Sequence, residues 1–554
     1  MKNKNSPEIK NKLSFVFLNG WRPYAWLAVV GFAVYAQTLF FGLSGYDDTL
    51  LITRHYYLIK DITKIPAAFL NDVAWGHSQQ FYRPMLTVSF MFNAILGGKN
   101  IWFFHLSNIL MHLGSVLLAF WLLKRLTGER GSAFILSLIF AVHPALSPAV
   151  AWLPGRNDSL LGLFTLGAFG AMLEYVRNGK WRWYALHLTL FVFALFTKET
   201  AVAIPAVFLA FLIAIYGRQR LRQCIYLAAG WLASGAGYFL LRGSVLPPTP
   251  PIMNTASENA AGLLGYIGKL IFPVNLSVMP MPQDSPYFYG IAALALFVIL
   301  FALKGIRNKK IFIAGLFWFT VFLVPTIFRI TDFANMLEHR LYVPMFGLLL
   351  MLSQAEAIRH FKKIFLALAV FLLVLFGAFA VSHSRDFKDP LSFWQNAADT
   401  SPHCALAHRS LGMMHLNWGQ PEKAALRFGQ GLKNNPGDPG LMNGLALAYL
   451  NMNKFDLAVP LLEKAAVIDS GNAFCHENLG TAYLKIGRLR PAVQEFRRAH
   501  ILRPEDPGIL LNLSYAHYSL KDVDSAAYYY SRALKHGLAP DPKIEKMLRN
   551  TTEK

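Results

Sequence analysis

Residues 364–382 read IFLALAVFLLVLFGAFAVS, nineteen consecutive residues without a charged side chain. A bilayer is crossed by a helix of about 20 apolar residues, so this stretch predicts a membrane span. The same character extends toward the amino terminus, because the whole chain is 55% hydrophobic and only 15% charged, with a mean hydropathy of +0.36. This composition excludes disordered, collagen-like and disulfide-rich secreted proteins. The sequence therefore predicts an integral, multi-pass membrane protein.

Apolar stretches of similar length predict eleven spans, which begin near residues 24, 101, 131, 158, 182, 200, 223, 287, 311, 340 and 364. Two shorter runs, 84–96 and 260–273, are interrupted by polar or helix-breaking residues and are expected to lie at the membrane interface. The turns that face the cytoplasm in this scheme, with the amino-terminal tail, hold 21 Lys or Arg residues, as the positive-inside rule requires. An odd count then places residues after 382 outside, in a periplasm or an equivalent lumen. The net charge of +22 reflects topology, and nucleic acid is not expected as a partner.

A 34-residue repeat fills most of the chain after residue 382. Each copy has small residues at positions eight and twenty and a large apolar residue at position twenty-four. The pattern resembles the tetratricopeptide repeat and predicts an α-solenoid whose concave surface holds an extended peptide or another protein. The expected fold is all-α, with a membrane domain over 1–382 and a repeat domain over 383–554. The repeats are 405–438, 439–472, 473–506 and 507–540, starting at Ala405, Pro439, Ala473 and Pro507.

Polar residues collect at the predicted external ends of the spans, where ionisable groups are costly and usually functional. Asp47 and Asp48 follow the first span directly. One carboxylate is a candidate general base, and the other is a candidate to orient it or to help hold a divalent metal. The alternative is a polar helix terminus that faces water. No metal ligand set or other cofactor is assigned.

Four cations on the same side are candidates to bind a phosphate, because their side chains match phosphate oxygens: Arg83, Arg156, Lys198 and Arg340. The alternative is snorkelling toward lipid headgroups. His105, Asn108 and His112 share one helix face, which fits either a metal pair or hydrogen bonding between packed helices. The supporting candidates are His105, His112, His143, Asp158, Glu199, Glu338, His339 and Tyr342.

These polar residues form seven short motifs in a fixed order, namely Tyr46-Asp47-Asp48, Tyr82-Arg83-Pro84, HLSNILMH at 105–112, His143-Pro144, PGRND at 154–158, Lys198-Glu199-Thr200 and EHRLYVP at 338–344. The series resembles the GT-C glycosyltransferases, specifically the transmembrane and tetratricopeptide-repeat O-mannosyltransferases and their bacterial relatives. The resemblance implies transfer of a sugar from a polyprenyl-phosphate carrier to an acceptor at the external face. It implies a catalytic carboxylate at Asp47 or Asp48, with mannose as the sugar and a protein Ser or Thr as the acceptor.

The partners implied are a polyprenyl-phosphate sugar, an acceptor polypeptide or other protein held by the repeats, and membrane lipids. The implied location is a bacterial inner membrane, with the amino terminus in the cytoplasm. Three other interpretations stay open. They are a non-catalytic membrane-anchored repeat scaffold, transfer to a lipid or glycan acceptor, and a transporter, whose ionisable groups would lie near mid-membrane.

Overall fold

The computed structural model of the chain describes residues 16–76, 81–217, 220–247, 256–325, 336–542, 544–546 and 548. These residues form helices joined by turns and loops, and the one extended pairing among them is an isolated bridge between Ile306 and Ala355. The predicted all-α fold is confirmed.

Contacts divide the chain into two compact units, Met1–Asn396 and Ala397–Lys554, so the first unit extends past residue 382. The longer helices before the repeats are Arg22–Tyr35, Pro84–Gly97, Ile101–Thr127, Arg130–Val142, Arg156–Asn178, Trp181–Leu195, Ile204–Tyr216, Leu221–Val245, Ala256–Ile271, Phe288–Lys304, Lys309–Leu323, Tyr342–Leu352, Lys362–Ser384 and Pro390–Thr400. Short helical segments lie between them, among them Thr49–Arg54, Pro144–Leu146, Pro148–Ala151, Glu199–Ala203 and Glu338–Leu341.

Among the described residues, six helical stretches are long and apolar enough to cross a membrane. They are Arg22–Phe40, Ile101–Thr127, Arg156–Asn178, Glu199–Tyr216, Arg222–Val245 and Lys362–Phe387. A seventh candidate is the pair Arg130–Val142 and Pro144–Ala151, which is bent by 54° at His143. The protein is therefore multi-pass, but the predicted count of eleven spans is not confirmed.

The difference in span number comes from helices that are apolar but short. The spans predicted near residues 182, 287, 311 and 340 are helices of 15, 17, 15 and 11 residues, shorter than the roughly 20 residues that cross a bilayer. Tyr342–Leu352 is buried from its first residue through Leu350, so its apolar side chains pack on protein. A Cβ atom at Gly347 would lie 2.6 Å from the carbonyl oxygen of Gly315, which shows how closely this helix crosses Lys309–Leu323. Hydropathy alone does not separate such a core helix from a span.

The chain changes direction at His143, between the helix Arg130–Val142 and two short helices. Pro144 and Pro148 each begin a short helix, a position where the missing N–H of proline carries no cost. The chain then turns over residues 152–155 before Arg156–Asn178 begins. A Cβ atom at Gly155 would lie 2.0 Å from the carbonyl oxygen of Pro148, so only glycine fits this turn. The turn brings the PGRND motif to the end of a long helix.

The described residues of the second unit include four helix pairs, and their first helices begin at Ala405, Pro439, Ala473 and Pro507, the starts of the aligned repeats. The pairs are Ala405–Asn417 with Pro421–Asn434, Pro439–Asn451 with Phe455–Ile468, Ala473–Lys485 with Leu489–Leu502, and Pro507–Ser519 with Val523–Lys535. Small residues at position eight let the paired helices approach. A Cβ atom at Gly412 would lie 2.4 Å from the Phe428 ring, and one at Gly480 would lie 2.7 Å from the Phe496 ring. The predicted tetratricopeptide repeats are confirmed.

Candidate active site

The acid pair lies in a tight turn that leads into the segment Thr49–Arg54. Asp48 is 1% exposed, and its carboxylate accepts four hydrogen bonds from this turn. Oδ2 accepts from the Ser44 N–H at 2.5 Å and the Ser44 hydroxyl at 2.9 Å, while Oδ1 accepts from the N–H groups of Tyr46 at 3.1 Å and Thr49 at 3.0 Å. A carboxylate bonded in this way shapes the loop and has little capacity left for a substrate.

The neighbouring Asp47 lies in a different environment. It is partly exposed, and no group in the described part of the chain donates a hydrogen bond to it. Burial and the adjacent Asp48 carboxylate raise the pKa of Asp47 to about 6, while the Arg83 guanidinium opposes the shift. A carboxylate with this pKa is ionised at neutral pH and is matched to proton transfer there. Of the two acids, Asp47 is the better candidate for a base.

Aromatic packing fixes the loop that carries the acids. The Tyr46 ring stacks on Trp152, with centroids 6.4 Å apart and planes 14° apart, and on Phe393 at 5.9 Å. Gly45 has a φ of +75°, and a Cβ atom there would lie 2.7 Å from the Pro390 ring. The position therefore requires glycine. The loop is held by groups from two distant parts of the chain, Trp152 and the helix Pro390–Thr400, so Asp47 has a defined place.

Arg83 is held by a two-point ion pair with Glu199. Its Nε donates to Oε2 at 3.1 Å and its Nη2 donates to Oε1 at 2.8 Å, and the guanidinium lies 4.3 Å from the centroid of the Phe81 ring. Among the described residues the Nη1 group has no hydrogen-bonded partner. The fork is thus held near enough to Asp47 to oppose the rise in the pKa of that carboxyl, and one of its N–H groups is still available to an anion.

Lys198 is bound to Asp158 rather than directed at solvent. Its Nζ donates to both carboxylate oxygens, at 2.7 and 2.8 Å, and both side chains are buried. Burial lowers the pKa of Lys198 to about 8, although Asp158 opposes the shift. The His339 Nε2 lies 3.8 Å from the same carboxylate. Burial, with Lys198, Arg340 and Arg83 nearby, lowers the pKa of His339 well below its usual range, so this imidazole is neutral.

Glu338 belongs to a second buried network. It accepts from Lys269 Nζ at 2.5 Å and from the Ser277 N–H at 3.0 Å, and its other oxygen lies 3.3 Å from His383 Nε2. The opposite ring nitrogen of His383 lies 2.8 Å from Asp386. Burial alone would raise the pKa of Glu338, but Lys269 and His383 lower it to about 2. Glu338 is therefore a fixed anion.

Arg340 is buried at 8% exposure and is hydrogen-bonded to the Tyr266 side chain. Its charge contributes to the low pKa of His339, as the charges of Arg83 and Lys198 do. Three of the four predicted phosphate-binding cations thus act on one imidazole. The structure brings Asp47, Arg83, Asp158, Lys198, Glu199, His339 and Arg340 into one electrostatic cluster.

The fourth cation, Arg156, has a structural environment. It is fully buried, with the guanidinium 4.5 Å from the Phe90 ring centroid. Nε donates to Asn108 at 2.6 Å, Nη1 donates to Asn93 at 2.5 Å and to Ser89 at 3.2 Å, and Nη2 donates to the Phe104 carbonyl at 2.7 Å. With its donors bound inside the protein, Arg156 ties helices together, and we leave it out of the candidate phosphate site.

Three of the histidines predicted as supporting residues, His105, His112 and His143, bond to distant parts of the membrane domain. His112 bridges the Tyr342 hydroxyl at 2.8 Å and the Ala141 carbonyl at 3.1 Å, which is the helix-to-helix bonding that its spacing allowed. His143 contacts the Leu270 carbonyl at 3.1 Å, and His105 contacts the Gly42 carbonyl at 3.4 Å. Within the described ranges no group of three or more His, Cys, Asp or Glu side chains is placed to hold a metal ion.

Several residues of this region were not identified from the sequence. Lys269 and Tyr266 lie in a short run that reads as an interfacial helix, and His383 lies in the last apolar span. Lys269 is the one charged residue in the apolar run 260–273, and this could have marked it as a functional candidate. Trp152 stacks on Tyr46 and lies 5.8 Å from His339, but a tryptophan near a helix end is common in membrane proteins and gave no signal.

Comparisons with known proteins show which families this sequence resembles. Residues 84–234 match the family model of dolichyl-phosphate-mannose-protein mannosyltransferase, and residues 415–473 and 478–542 match a tetratricopeptide repeat model. Protein O-mannosyl-transferase TMTC2 of Mus musculus is 30% identical over 36% of this chain and 25% of its own length. Protein O-mannosyl-transferase TMTC3 of Homo sapiens is 23% identical over 85% of this chain and 54% of its own length. The resemblance to these mannosyltransferases is confirmed.

Two further comparisons set the extent of the similarity. Protein O-mannosyl-transferase TMTC1 of Mus musculus is 40% identical over 20% of this chain and 12% of its own length. A solved structure titled "Crystal structure of MamA" is 16% identical, covers 28% of this chain and 90% of its own, and has a TM-score of 0.25, too low to support an argument. The chain spans about half the length, or less, of the curated relatives described here.

Proposed function

We propose that this chain is a membrane glycosyltransferase that moves a sugar, mannose by similarity, from a polyprenyl-phosphate carrier to a protein Ser or Thr. The observation that carries the proposal is the placement of Asp47, a partly exposed carboxylate with a pKa of about 6, near the oriented cation Arg83. A base and a phosphate-binding cation close together are what this transfer requires. The similarity to protein O-mannosyltransferases supports the same reaction.

In the proposed reaction Asp47 accepts the proton of the acceptor hydroxyl. The acceptor oxygen forms a bond to the anomeric carbon as the bond from that carbon to the carrier phosphate breaks, and the electron pair stays on the phosphate. Since Asp48 accepts four hydrogen bonds from its own turn, no second carboxylate is available there to act as a nucleophile. We therefore propose a single displacement, which inverts the anomeric configuration.

Arg83 is the cation best suited to meet the departing phosphate. Glu199 and Phe81 hold its plane, and Nη1 has capacity for an oxygen of the phosphate. Arg340 and Lys198 add positive potential to the same cluster, although Lys198 is bound to Asp158. Positive charge that is already in position where negative charge develops in the transition state is usually the largest single contribution to catalysis.

A lipid carrier suits the position of this cluster. Asp47 follows the first long apolar helix, and Lys198 precedes another, so both lie at helix ends where a carrier phosphate would sit at headgroup level. We propose that these ends face a periplasm or lumen, with a bacterial inner membrane as the location. A reporter fused after Asp386 should then be active outside the cytoplasm, and cytoplasmic activity of that fusion would contradict the proposed topology.

The repeats are proposed to hold the acceptor polypeptide. Asn443, Asn478 and Asn512 lie on the first helices of consecutive repeats and are partly exposed. The Asn478 and Asn512 side chains each bond to the preceding repeat, because Asn478 donates to the Asn443 side chain at 2.9 Å and Asn512 donates to the Glu477 side chain at 2.9 Å. Carboxamides donate and accept hydrogen bonds, as the backbone of an extended peptide does. Tethering an acceptor near a reaction centre raises its effective concentration.

The proposal is tested with the full chain, purified in lipid nanodiscs. Polyprenyl-phosphate mannose and a nucleotide-linked mannose are each supplied with a Ser- and Thr-containing polypeptide, and glycopeptides are measured by mass spectrometry. We expect a mass gain of one hexose with the lipid-linked donor and none with the nucleotide sugar. Transfer from the nucleotide sugar alone would contradict the proposed donor. No transfer from either donor, together with capture of a protein partner, would favour the scaffold interpretation.

A further inference from the structure

The turn over residues 152–155 and the first turn of helix Arg156–Asn178 each contain one buried polar atom without a partner. In the part of the chain that the structure describes, neither the indole N–H of Trp152 nor the Oδ1 atom of Asn157 makes a hydrogen bond. Trp152 is 8% exposed and Asn157 is 7% exposed. Burial of an unbonded donor or acceptor costs free energy, and nearly all such groups in proteins find a partner. A donor and an acceptor left unbonded within six residues of the chain point to a ligand.

The Trp152 ring is fixed from several sides. Tyr46 stacks on it at 6.4 Å and Phe387 at 6.5 Å, the tilted Phe393 ring lies 6.4 Å away, and His339 lies 5.8 Å away. The aromatic contacts occupy the ring faces, so a sugar is not expected to stack on this tryptophan. The polar edge is what remains for recognition.

Asn157 differs from its two neighbours in the chain, because their side chains are bonded inside the protein, whereas its amide oxygen is bonded to no described residue. Arg156 donates to four groups inside the protein, and Asp158 is paired with Lys198. The turn itself is rigid, since the Asn157 N–H donates to the Pro154 carbonyl at 3.3 Å and only glycine fits at Gly155. The backbone that carries the Asn157 side chain is therefore held in one conformation.

Both atoms lie beside the candidate active site. Trp152 contacts Tyr46, the residue before Asp47, and it contacts His339, which lies 3.8 Å from the Asp158 carboxylate. Asn157 immediately precedes Asp158 in the chain. The two atoms therefore belong to a segment that borders both the loop of Asp47 and the Lys198–Asp158 pair.

We propose that the Trp152 N–H and the Asn157 amide oxygen hydrogen-bond hydroxyl groups of the transferred sugar and select which hexose is used. A hydroxyl oxygen accepts from the indole, and a hydroxyl proton is donated to the amide oxygen, so both open atoms are satisfied. The inference rests on the proposed glycosyltransferase function. It assigns sugar recognition to residues other than the acid pair and the cations proposed to bind phosphate.

A site that hydrogen-bonds a hydroxyl discriminates strongly against an analogue that lacks it, because the open protein atoms are then left unpaired. The test uses the full chain in nanodiscs with polyprenyl-phosphate mannose and its 2-, 3-, 4- and 6-deoxy analogues. We expect the wild type to lose about 10- to 100-fold in kcat/KM for at least one deoxy donor. Trp152→Phe and Asn157→Leu, which remove one polar atom each, should reduce that loss to about threefold or less.

Two substitutions of other tryptophans serve as controls. Trp231→Phe removes an indole whose N–H is bonded to His187 at 2.8 Å, and Trp183→Phe removes an indole N–H that also lacks a partner but lies in Trp181–Leu195. Both controls should keep the wild-type preference among the donors. If either control loses the preference to the same degree, the effect comes from general loosening of the fold, and the proposal is overturned.

The outcomes separate this inference from the function on which it rests. No transfer by the wild type from any lipid-linked sugar would contradict the proposed function. Transfer by the wild type from all four deoxy donors at rates within threefold of the parent would overturn the inference alone, even if a variant fails to fold. Unchanged discrimination in both variants would also overturn it, and would assign the two open atoms to trapped water.

Discussion

Asp48 accepts four hydrogen bonds from its own turn, whereas Asp47, the next residue toward the amino terminus, accepts none from the described part of the chain. Two adjacent carboxylates thus have different tasks. The bonded acid fixes the loop, and the other is presented near Arg83 with a raised pKa.

Asp48→Asn should act mainly on stability. The amide replaces one acceptor oxygen with a donor, which then faces the N–H groups of Ser44, Tyr46 or Thr49. Loss of such buried bonds costs about 1–3 kcal/mol. Thermal unfolding in detergent should show a lower melting temperature, while the folded fraction keeps transfer within about tenfold of the wild type. An unchanged melting temperature would contradict the structural role.

The pH dependence of transfer should report Asp47. With a pKa near 6, the carboxylate is increasingly protonated as the pH falls below 6, so kcat/KM should fall about tenfold per pH unit there. The free energy of unfolding changes with pH in the opposite direction to the transfer rate. Because folding raises this pKa, the ionised group destabilises the folded protein as the pH rises from about 4 through 6. Asp47→Asn should therefore keep or raise the melting temperature at pH 7. A profile without a break between pH 5 and 7 would exclude Asp47 as the titrating base.

Arg83→Lys should weaken use of the lipid-linked donor. Lysine keeps the charge but lacks the fork that Glu199 orients, so the donor KM should rise about tenfold with little change in melting temperature. Arg156→Lys is the matched comparison, because Arg156 donates to four buried groups and its loss should lower the melting temperature. If Arg83→Lys leaves donor KM unchanged, Arg340 becomes the better candidate, tested in the same assay with Arg340→Lys.

The three asparagines proposed to hold the acceptor should matter for large acceptors only. The triple change Asn443→Ala, Asn478→Ala and Asn512→Ala should raise KM about tenfold for a polypeptide and leave transfer to a short peptide unchanged. Asn451→Ala is the control, because this exposed residue bonds only to the Leu447 carbonyl within its own helix. Equal effects on both acceptors would assign the three residues to folding of the repeats.

The sequence predicted the repeats closely because each one constrains itself. Leu, a small residue and an aromatic residue recur at positions that must pack, as Gly412 does against Phe428. The number of spans was less predictable, because a buried helix such as Tyr342–Leu352 is as apolar as a span. The sequence named most residues of the candidate site, but it did not show which of them contact each other. Linear order does not show that Arg156 is bonded to Asn108, or that Asp48 is engaged by its own turn.

Asp47→Asn is the most direct test of the account. The rate of mannose transfer from polyprenyl-phosphate mannose to a polypeptide is compared between the wild type and the variant, both as folded full-length protein in nanodiscs. Loss of the proton acceptor with nearly unchanged volume predicts a rate lower by about two to four orders of magnitude, with no loss of melting temperature. A rate within a few-fold of the wild type would show that Asp47 is not the base and would contradict the account.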